Sequence, residues 1–292
     1  MEIENLEDNI DKDKFAKVLS KLESISLYGK DEDDEHGSET ELLTALFEKV
    51  VDDKGEQKIK KMTLHCNLAI NCKLMVKCFN QLEDLILYGP SLTSDQTIFF
   101  FMCTAVQTYL RKMEFHEWNL SQVEPELIAL VFSTMEKVAL GDGIEIQDEQ
   151  IEKLLDKLND DTKLKSLELS VDLSGLDPDI LAHGVNELEK VSIRYTELTE
   201  IQIEKILRQT LKSSKLKYLD ISDNKNVELF TNMLADVKKK VHVVIDTVDP
   251  VLFWNEEPDS DESVEWNDDS DGTVEWNDDA DDSDEDNNYF FP

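Results

Sequence analysis

The chain is predicted to fold as an α/β solenoid, with short parallel strands along one side, helices along the other, and a disordered acidic tail at its C-terminal end. Three observations predict this. The pattern Leu-x-x-Leu-x-Leu recurs seven or eight times among the 292 residues. Its start-to-start spacing from Leu82 onward is 28, 25, 29, 24 and 28 residues, so long and short units alternate. Composition then shifts abruptly at Asp249: residues 249–292 hold 18 Asp or Glu and no Lys or Arg, half of the net charge of −36. A fixed period of this size marks a solenoid, in which each unit buries its apolar face only against its neighbours.

Taken in chain order, residues 1–20 are expected to form a capping helix with Phe15, Val18 and Leu19 on its apolar side. The solenoid then spans 21–248 in about 8–9 units. Its triplets are Leu22/Ile25/Leu27, a weaker Ile59/Met62/Leu64, Leu82/Leu85/Leu87, Leu110/Met113/Phe115, Met135/Val138/Leu140, Leu164/Leu167/Leu169, Leu188/Val191/Ile193 and Leu216/Leu219/Ile221. Each reads as a short strand with alternate residues inward. The long gap between Leu22 and Ile59 is assigned to an acidic loop over 30–41. Val241 to Ile245 reads as the final strand.

The segment after each triplet takes one of two forms. After Leu82, Met135 and Leu188 come Leu92-Thr-Ser-Asp-Gln96, Ile146-Gln-Asp-Glu-Gln150 and Leu198-Thr-Glu-Ile-Gln202. After Leu110 and Leu164 come Leu120-Ser-Gln-Val-Glu-Pro125 and Leu173-Ser-Gly-Leu-Asp-Pro178. Ser, Thr or Asp there caps a helix, and a first-turn proline costs it no hydrogen bond. A helix returning between parallel strands makes a right-handed crossover.

The alternating long and short units resemble the ribonuclease-inhibitor-like leucine-rich repeats over roughly Leu22 to Asp246. The resemblance implies a horseshoe with a parallel concave sheet and convex helices. The family favours Asn or Cys three places after the third apolar position. Asn67, Asn224 and Thr196 suit that place, whereas Trp118, Gly143 and Asp172 depart from it.

No catalytic constellation is present: there is no phosphate loop, no Gly-x-Ser-x-Gly and no zinc-protease helix. Cys66, Cys72, Cys78 and Cys103 lack paired spacing and read as core thiols of a reducing compartment. No metal and no cofactor is expected. So acidic a chain is not expected to bind nucleic acid or anionic membrane directly. The start of the chain lacks the pattern of a secretory leader, and the apolar run from Ile98 to Val106 is too short to cross a bilayer. A cytoplasmic or nuclear monomer is the expectation.

Strand alternation predicts which side chains leave the helix-free face. They include Lys61, Lys112, Lys137, Lys190 and Arg194 against Asp84, Glu114, Glu168 and Asp220, with Tyr28, Tyr88 and Tyr218, and with His65 and His116 at equivalent places. Five bases against four acids make this face basic relative to the chain, and with its aromatics it suits protein binding.

The tail has its own repeat. Trp254-Asn-Glu-Glu, Trp266-Asn-Asp-Asp and Trp276-Asn-Asp-Asp place three of the four tryptophans in a segment too polar to fold alone. Aromatic anchors spaced in acid suit a basic partner. Such segments look like those of histone chaperones, and the tail resembles that of acidic leucine-rich nuclear phosphoproteins. Val264 to Asp269 is similar to the tryptophan-acidic motif recognised by kinesin light chains. The enzyme-related resemblance is to the Ran GTPase-activating protein, whose functional residues no motif here carries over; Arg194, at a strand edge, is a candidate by its chemistry alone. The leading expectation is a non-enzymatic protein-interaction module with two surfaces, the sheet face and the tail.

Overall fold

A computed structural model of the chain describes residues 2–4, 11–28, 37–52, 59–65, 72–79, 81–89, 92–106, 109–212 and 215–245. The chain divides after Val248. The tail, with Trp254, Trp266 and Trp276, lies outside the described residues.

Strand and helix alternate throughout. In order they are β1 (Glu2–Glu4), α1 (Lys12–Leu19), β2 (Ser24–Tyr28), α2 (Gly37–Asp52), β3 (Lys61–His65), α3 (Cys72–Phe79) and β4 (Asp84–Tyr88). Then come α4 (Ser94–Thr104), β5 (Lys112–His116), α5 (Pro125–Phe132), β6 (Lys137–Leu140), α6 (Asp148–Lys157) and β7 (Ser166–Leu169). The last are α7 (Pro178–Asn186), β8 (Lys190–Ser192), α8 (Glu200–Lys212), β9 (Tyr218–Asp220), α9 (Thr231–Val237) and β10 (His242–Val244). The strands form one ten-stranded sheet in sequence order, and every pairing is parallel. Each helix packs against the helix before it, from α1 on α2 to α8 on α9. Repeated strand–helix units with nearest-neighbour packing make a solenoid-like α/β fold.

The apolar triplets explain the register. Ile25, Met62, Leu85, Met113, Val138, Leu167, Val191, Leu219 and Val243 are partners from one strand to the next. All nine are buried. A one-residue slip of any strand would turn its whole apolar set to the other face, so burial on one side fixes the pairing. Aromatic rings thicken the core between β4 and β6, where Phe100, Phe101, Phe115, Trp118 and Phe132 meet at ring-centroid distances of 5.1 to 6.5 Å. Cys78 is buried among the apolar residues of the core and Cys103 half-buried, and burial pushes both thiols up from their ordinary range.

The pairing of long and short units has a chemical cause. Gln150 and Gln202 stand at the same place in their helices. Each accepts a backbone N–H on its own side: Gln147 donates to Gln150 Oε1 at 2.7 Å, and Thr199 to Gln202 Oε1 at 2.8 Å. Each donates back across the repeat, Gln150 Nε2 to the carbonyls of Leu120 and Val123, Gln202 Nε2 to those of Leu173 and Leu176. One buried amide therefore caps its own helix and closes the turn of the preceding unit, which ties the units in twos. Gln96 makes the first half of the same arrangement with Thr93. Among the alternate units, Asp177 accepts from the N–H groups of Asp179 and Ile180 and Pro178 opens α7, whereas Glu124 before Pro125 makes no side-chain cap bond to α5.

Two boundaries differ from the sequence expectation. The stretch assigned to one capping helix begins with β1, which pairs with β2, and the helix α1 occupies only Lys12–Leu19. Acidic composition over 30–41 does not mean loop throughout: α2 already starts at Gly37, and residues 30–36 lie outside the described residues. Acids in a first turn suit the positive end of a helix, so acid richness alone does not separate loop from helix. At the family-favoured polar position, Asn224 donates to the carbonyls of Ile193 and Ile221, and its Oδ1 accepts from Thr196 Oγ1 and Leu198 N. Trp118 fills the equivalent place with a ring against Phe115 instead. Asn67 lies outside the described residues.

Candidate functional site

The helix-free face of the sheet is the candidate site. Strand register arranges its side chains in three rows running across the strands. The first row reads Ser24, Lys61, Asp84, Lys112, Lys137, Ser166, Lys190, Tyr218, His242. The middle row holds Ser26, Thr63, Ile86, Glu114, Ala139, Glu168, Ser192 and Asp220. In the last row Tyr28, His65, Tyr88 and His116 stand at the ends of β2 to β5.

Those four rings form a continuous stack. Centroid separations are 5.2 Å for Tyr28–His65, 3.8 Å for His65–Tyr88 and 4.1 Å for Tyr88–His116, with interplanar angles of 25°, 14° and 7°. Parallel strands about 4.8 Å apart hold ring planes at stacking distance without further help. The stack ends on β6 because Gly141 has no side chain: a Cβ there would fall 2.2 Å from His116 Nδ1. The other edge of the His116 ring is fixed by Glu114, whose Oε1 lies 2.6 Å from His116 Nε2. Packing alters the ring chemistry. Burial, followed by the charge of Glu114, pushes the Tyr88 hydroxyl up to about 12. Burial and the neighbouring His116 hold the His65 imidazole below its ordinary value.

From β6 to β9 the same face has small residues, Ala139, Gly141, Ser166, Ser170, Ser192 and Ser222, with charges set among them. Arg194 lies between two carboxylates. Its Nη2 donates to Glu168 Oε1 at 3.0 Å and its Nε lies 3.4 Å from Asp220 Oδ2. All three are deeply set, with side-chain exposures of 12% for Arg194, 9% for Glu168 and 5% for Asp220. Asp220 Oδ1 also accepts from the Ser222 N–H and hydroxyl. Burial pushes the Glu168 carboxyl above its ordinary range, and Arg194 opposes that shift. Burial, then the like charges of Lys112 and Lys190, pull the Lys137 ammonium down to about 8.

The residues singled out by sequence fall into separate places. Tyr28 and Tyr88 belong to the stack, whereas Tyr218 is at the far end of the first row, stacked on His242 at 5.4 Å. Lys61 and Lys112 flank Asp84 at 3.3 and 3.9 Å. Lys137 and Lys190 flank Ser166, and Arg194 is locked in its carboxylate pair. Of these bases, Lys61, Lys112 and Arg194 lie within 4 Å of an acid of this face. Sequence reasoning did not single out Gly141 or Ser166. Gly141 was detectable as the residue following the third apolar position of its triplet, the place that supplies each ring of the stack. Strand alternation places Ser166 on this face without marking it as a site residue. Among the described residues no group of three or more His, Cys, Asp or Glu is placed to hold a metal ion, and no helix is long and apolar enough to cross a membrane. No protein-family model matches the chain, and no curated protein matches it significantly.

Proposed function

We propose that the chain is a non-enzymatic protein-interaction module of the ribonuclease-inhibitor-like leucine-rich repeat type. In this reading a partner docks on the helix-free sheet face, and the acidic, tryptophan-bearing tail engages a basic partner such as histones in the cytoplasm or nucleus. The observation that carries the docking role is the stack of Tyr28, His65, Tyr88 and His116. Rings already packed on one another lose little rotamer freedom when a partner meets the stack, and pre-ordering of this kind converts contact into affinity. Aromatic anchors of this sort are what protein interfaces favour. The alternating period and the Asn224 hydrogen bonds support the repeat type.

The GTPase-activating reading needs an arginine able to reach a second protein's nucleotide. Arg194 is buried between Glu168 and Asp220, an arrangement that favours the docking reading. The kinesin light chain reading rests on the tail motifs alone.

One capture experiment tests these readings together. Core histones and a kinesin light chain are each offered to the full chain, to a His65→Ala/Tyr88→Ala variant and to a Trp254→Ala/Trp266→Ala/Trp276→Ala variant. Histone capture that survives the ring variant and falls with the tryptophan variant supports the tail role. Capture unaffected by the tryptophans and abolished by modest salt leaves only bulk charge. Stimulated GTP turnover lost in Arg194→Ala would replace the proposal with the GTPase-activating one.

A further inference from the structure

We propose that the outer side of α4, with the adjoining end of α5, docks a partner segment that is apolar along one side and acidic at its flanks. The site lies on the helix side of the sheet, goes beyond the docking reading and does not depend on the ring stack.

Only part of the apolar run over 98–106 is spent on the core. Phe100 and Phe101 are buried, but Met102 is 57% exposed, Val106 80% and Tyr109 69%, and Leu130 on the neighbouring α5 is 42% exposed. No acid or base occurs anywhere in 96–110. Other helices turn charge outward, as α6 does with exposed Glu149, Lys153 and Asp156. Single exposed apolar side chains are ordinary, whereas a contiguous group marks an interaction surface. Met102 and Val106 are four residues apart and share one helix face. Helix α4 packs on α5, and Thr134, four residues beyond Leu130, joins Tyr109 in lining a cavity of about 330 Å³. Lys163 stands at the same cavity, and its backbone N–H donates to the Ser133 carbonyl at 3.0 Å, beside the end of α5. A cavity at the small end of the ligand-pocket range suits one anchoring side chain of a partner.

Charge selects the occupant. Around the patch the acids are paired: Glu83 with Lys60 at 3.6 Å, Glu136 with Arg111 at 2.7 Å and Glu126 with Lys153 at 3.4 Å. Asp95 and Glu124 belong to the opposite, N-terminal ends of α4 and α5. Two lysines flank the patch. Lys77 lies in the last turn of α3, the helix on the other side of α4, and Lys163 stands at the cavity. Neither has an acid partner among the described residues. The charge left over at this end is therefore positive, although the chain carries −36. A two-fold pairing of copies sets a patch against the same patch, so these lysines would gain no counter-charge and two strongly acidic chains would meet. An anionic bilayer is repelled by the same net charge. A segment with apolar side chains for Met102, Val106 and the cavity, and carboxylates for Lys77 and Lys163, meets both requirements.

The test is fluorescence polarisation with the full chain at about 0.15 M salt. The probe is a dye-labelled peptide of leucine, phenylalanine and glutamate whose apolar residues recur at helical spacing, and its counterpart has lysine in place of glutamate. The proteins are wild type, Val106→Glu, Lys77→Glu and Lys163→Glu, with Ile201→Glu on α8 as an equally exposed apolar control and folding checked by circular dichroism. Wild type should bind the glutamate peptide. Binding should weaken by about tenfold in Val106→Glu, where a charge enters the apolar contact, and by severalfold in each lysine reversal. Ile201→Glu should bind as wild type. No binding of the glutamate peptide overturns the proposal, and so does equal binding by wild type and Val106→Glu or equal weakening in Ile201→Glu. A lysine peptide held as tightly, and lost equally in Val106→Glu, overturns the acidic partner. A wild-type dimer in sedimentation that Val106→Glu dissolves would give this face to a second copy, and vesicle binding lost in the same variant would give it to a membrane; either result replaces the proposal. The His65→Ala/Tyr88→Ala chain should bind the peptide as wild type does, so this site and the docking face can fail independently.

Discussion

The two halves of the helix-free face share one backbone and differ in what that backbone presents. Across β2 to β5, large rings occupy the row after the last apolar position and cover one another. Across β6 to β9, the same row and its neighbours carry Gly141, Ser170, Ala139 and Ser192, and charges sink to the level of the sheet. In a stacked parallel sheet, side-chain size thus decides the electrostatics. Where rings fill the row, their flat faces cover one another. Where small residues leave room, Glu168, Asp220 and Arg194 become desolvated and must satisfy one another.

The largest expected effect comes from breaking the charged half. Arg194→Ala leaves Glu168 and Asp220 buried without their counter-ion, and a loss of about 3–5 kcal/mol in urea unfolding at about pH 7.5 is expected. The sign of its pH dependence is set by Glu168. Burial raises that carboxyl, so the folded state takes up a proton before the unfolded chain does, and protonation removes the stranded charge. The loss should therefore shrink as pH falls towards about 5. A loss that stays constant over that window would mean the three groups are not coupled.

Next in size is the boundary between the halves. Gly141→Ala places a methyl inside the His116 ring position and should cost about 1–3 kcal/mol as the ring is displaced. In the doubly substituted Gly141→Ala/His116→Ala chain most of that cost should vanish. Gln202→Ala should cost a similar amount, about 1–3 kcal/mol, because the carbonyls of Leu173 and Leu176 and the Thr199 N–H lose a buried partner together.

The smallest effect belongs to the ring half. A double-mutant cycle of His65→Ala and Tyr88→Ala should return a coupling of about 0.5–1.5 kcal/mol. Coupling within error of zero would show that these rings do not stack, and would remove the observation on which docking rests.

Much of this architecture was legible in the sequence. The triplets place β2 to β9 and their register, because a period-two pattern repeated at near-constant spacing allows one alignment only. Tyr28, His65, Tyr88 and His116 could be assigned to one row from that alignment. The recurring Gln96, Gln150 and Gln202 marked the pair-period, although their dual hydrogen bonding required the geometry of the preceding turn. Other features were not legible. Glu2–Glu4 carries no triplet, and its place in the sheet depends on the open edge of β2. The fate of Arg194 depended on carboxylates 26 residues away on either side in neighbouring strands, a three-strand property that no local pattern encodes.

The central claim is that β6 to β9 hold desolvated charge on a face that the helices leave uncovered. The most direct measurement is a pH titration of Lys137 by NMR, with selectively labelled lysine and Lys137→Met for assignment. Burial beside Lys112 and Lys190 predicts a midpoint near 8, and stability that rises between there and the ordinary lysine value of 10.5 as the unfolded chain alone keeps its proton. A Lys137 midpoint at 10.5, with stability flat across that window, would contradict it.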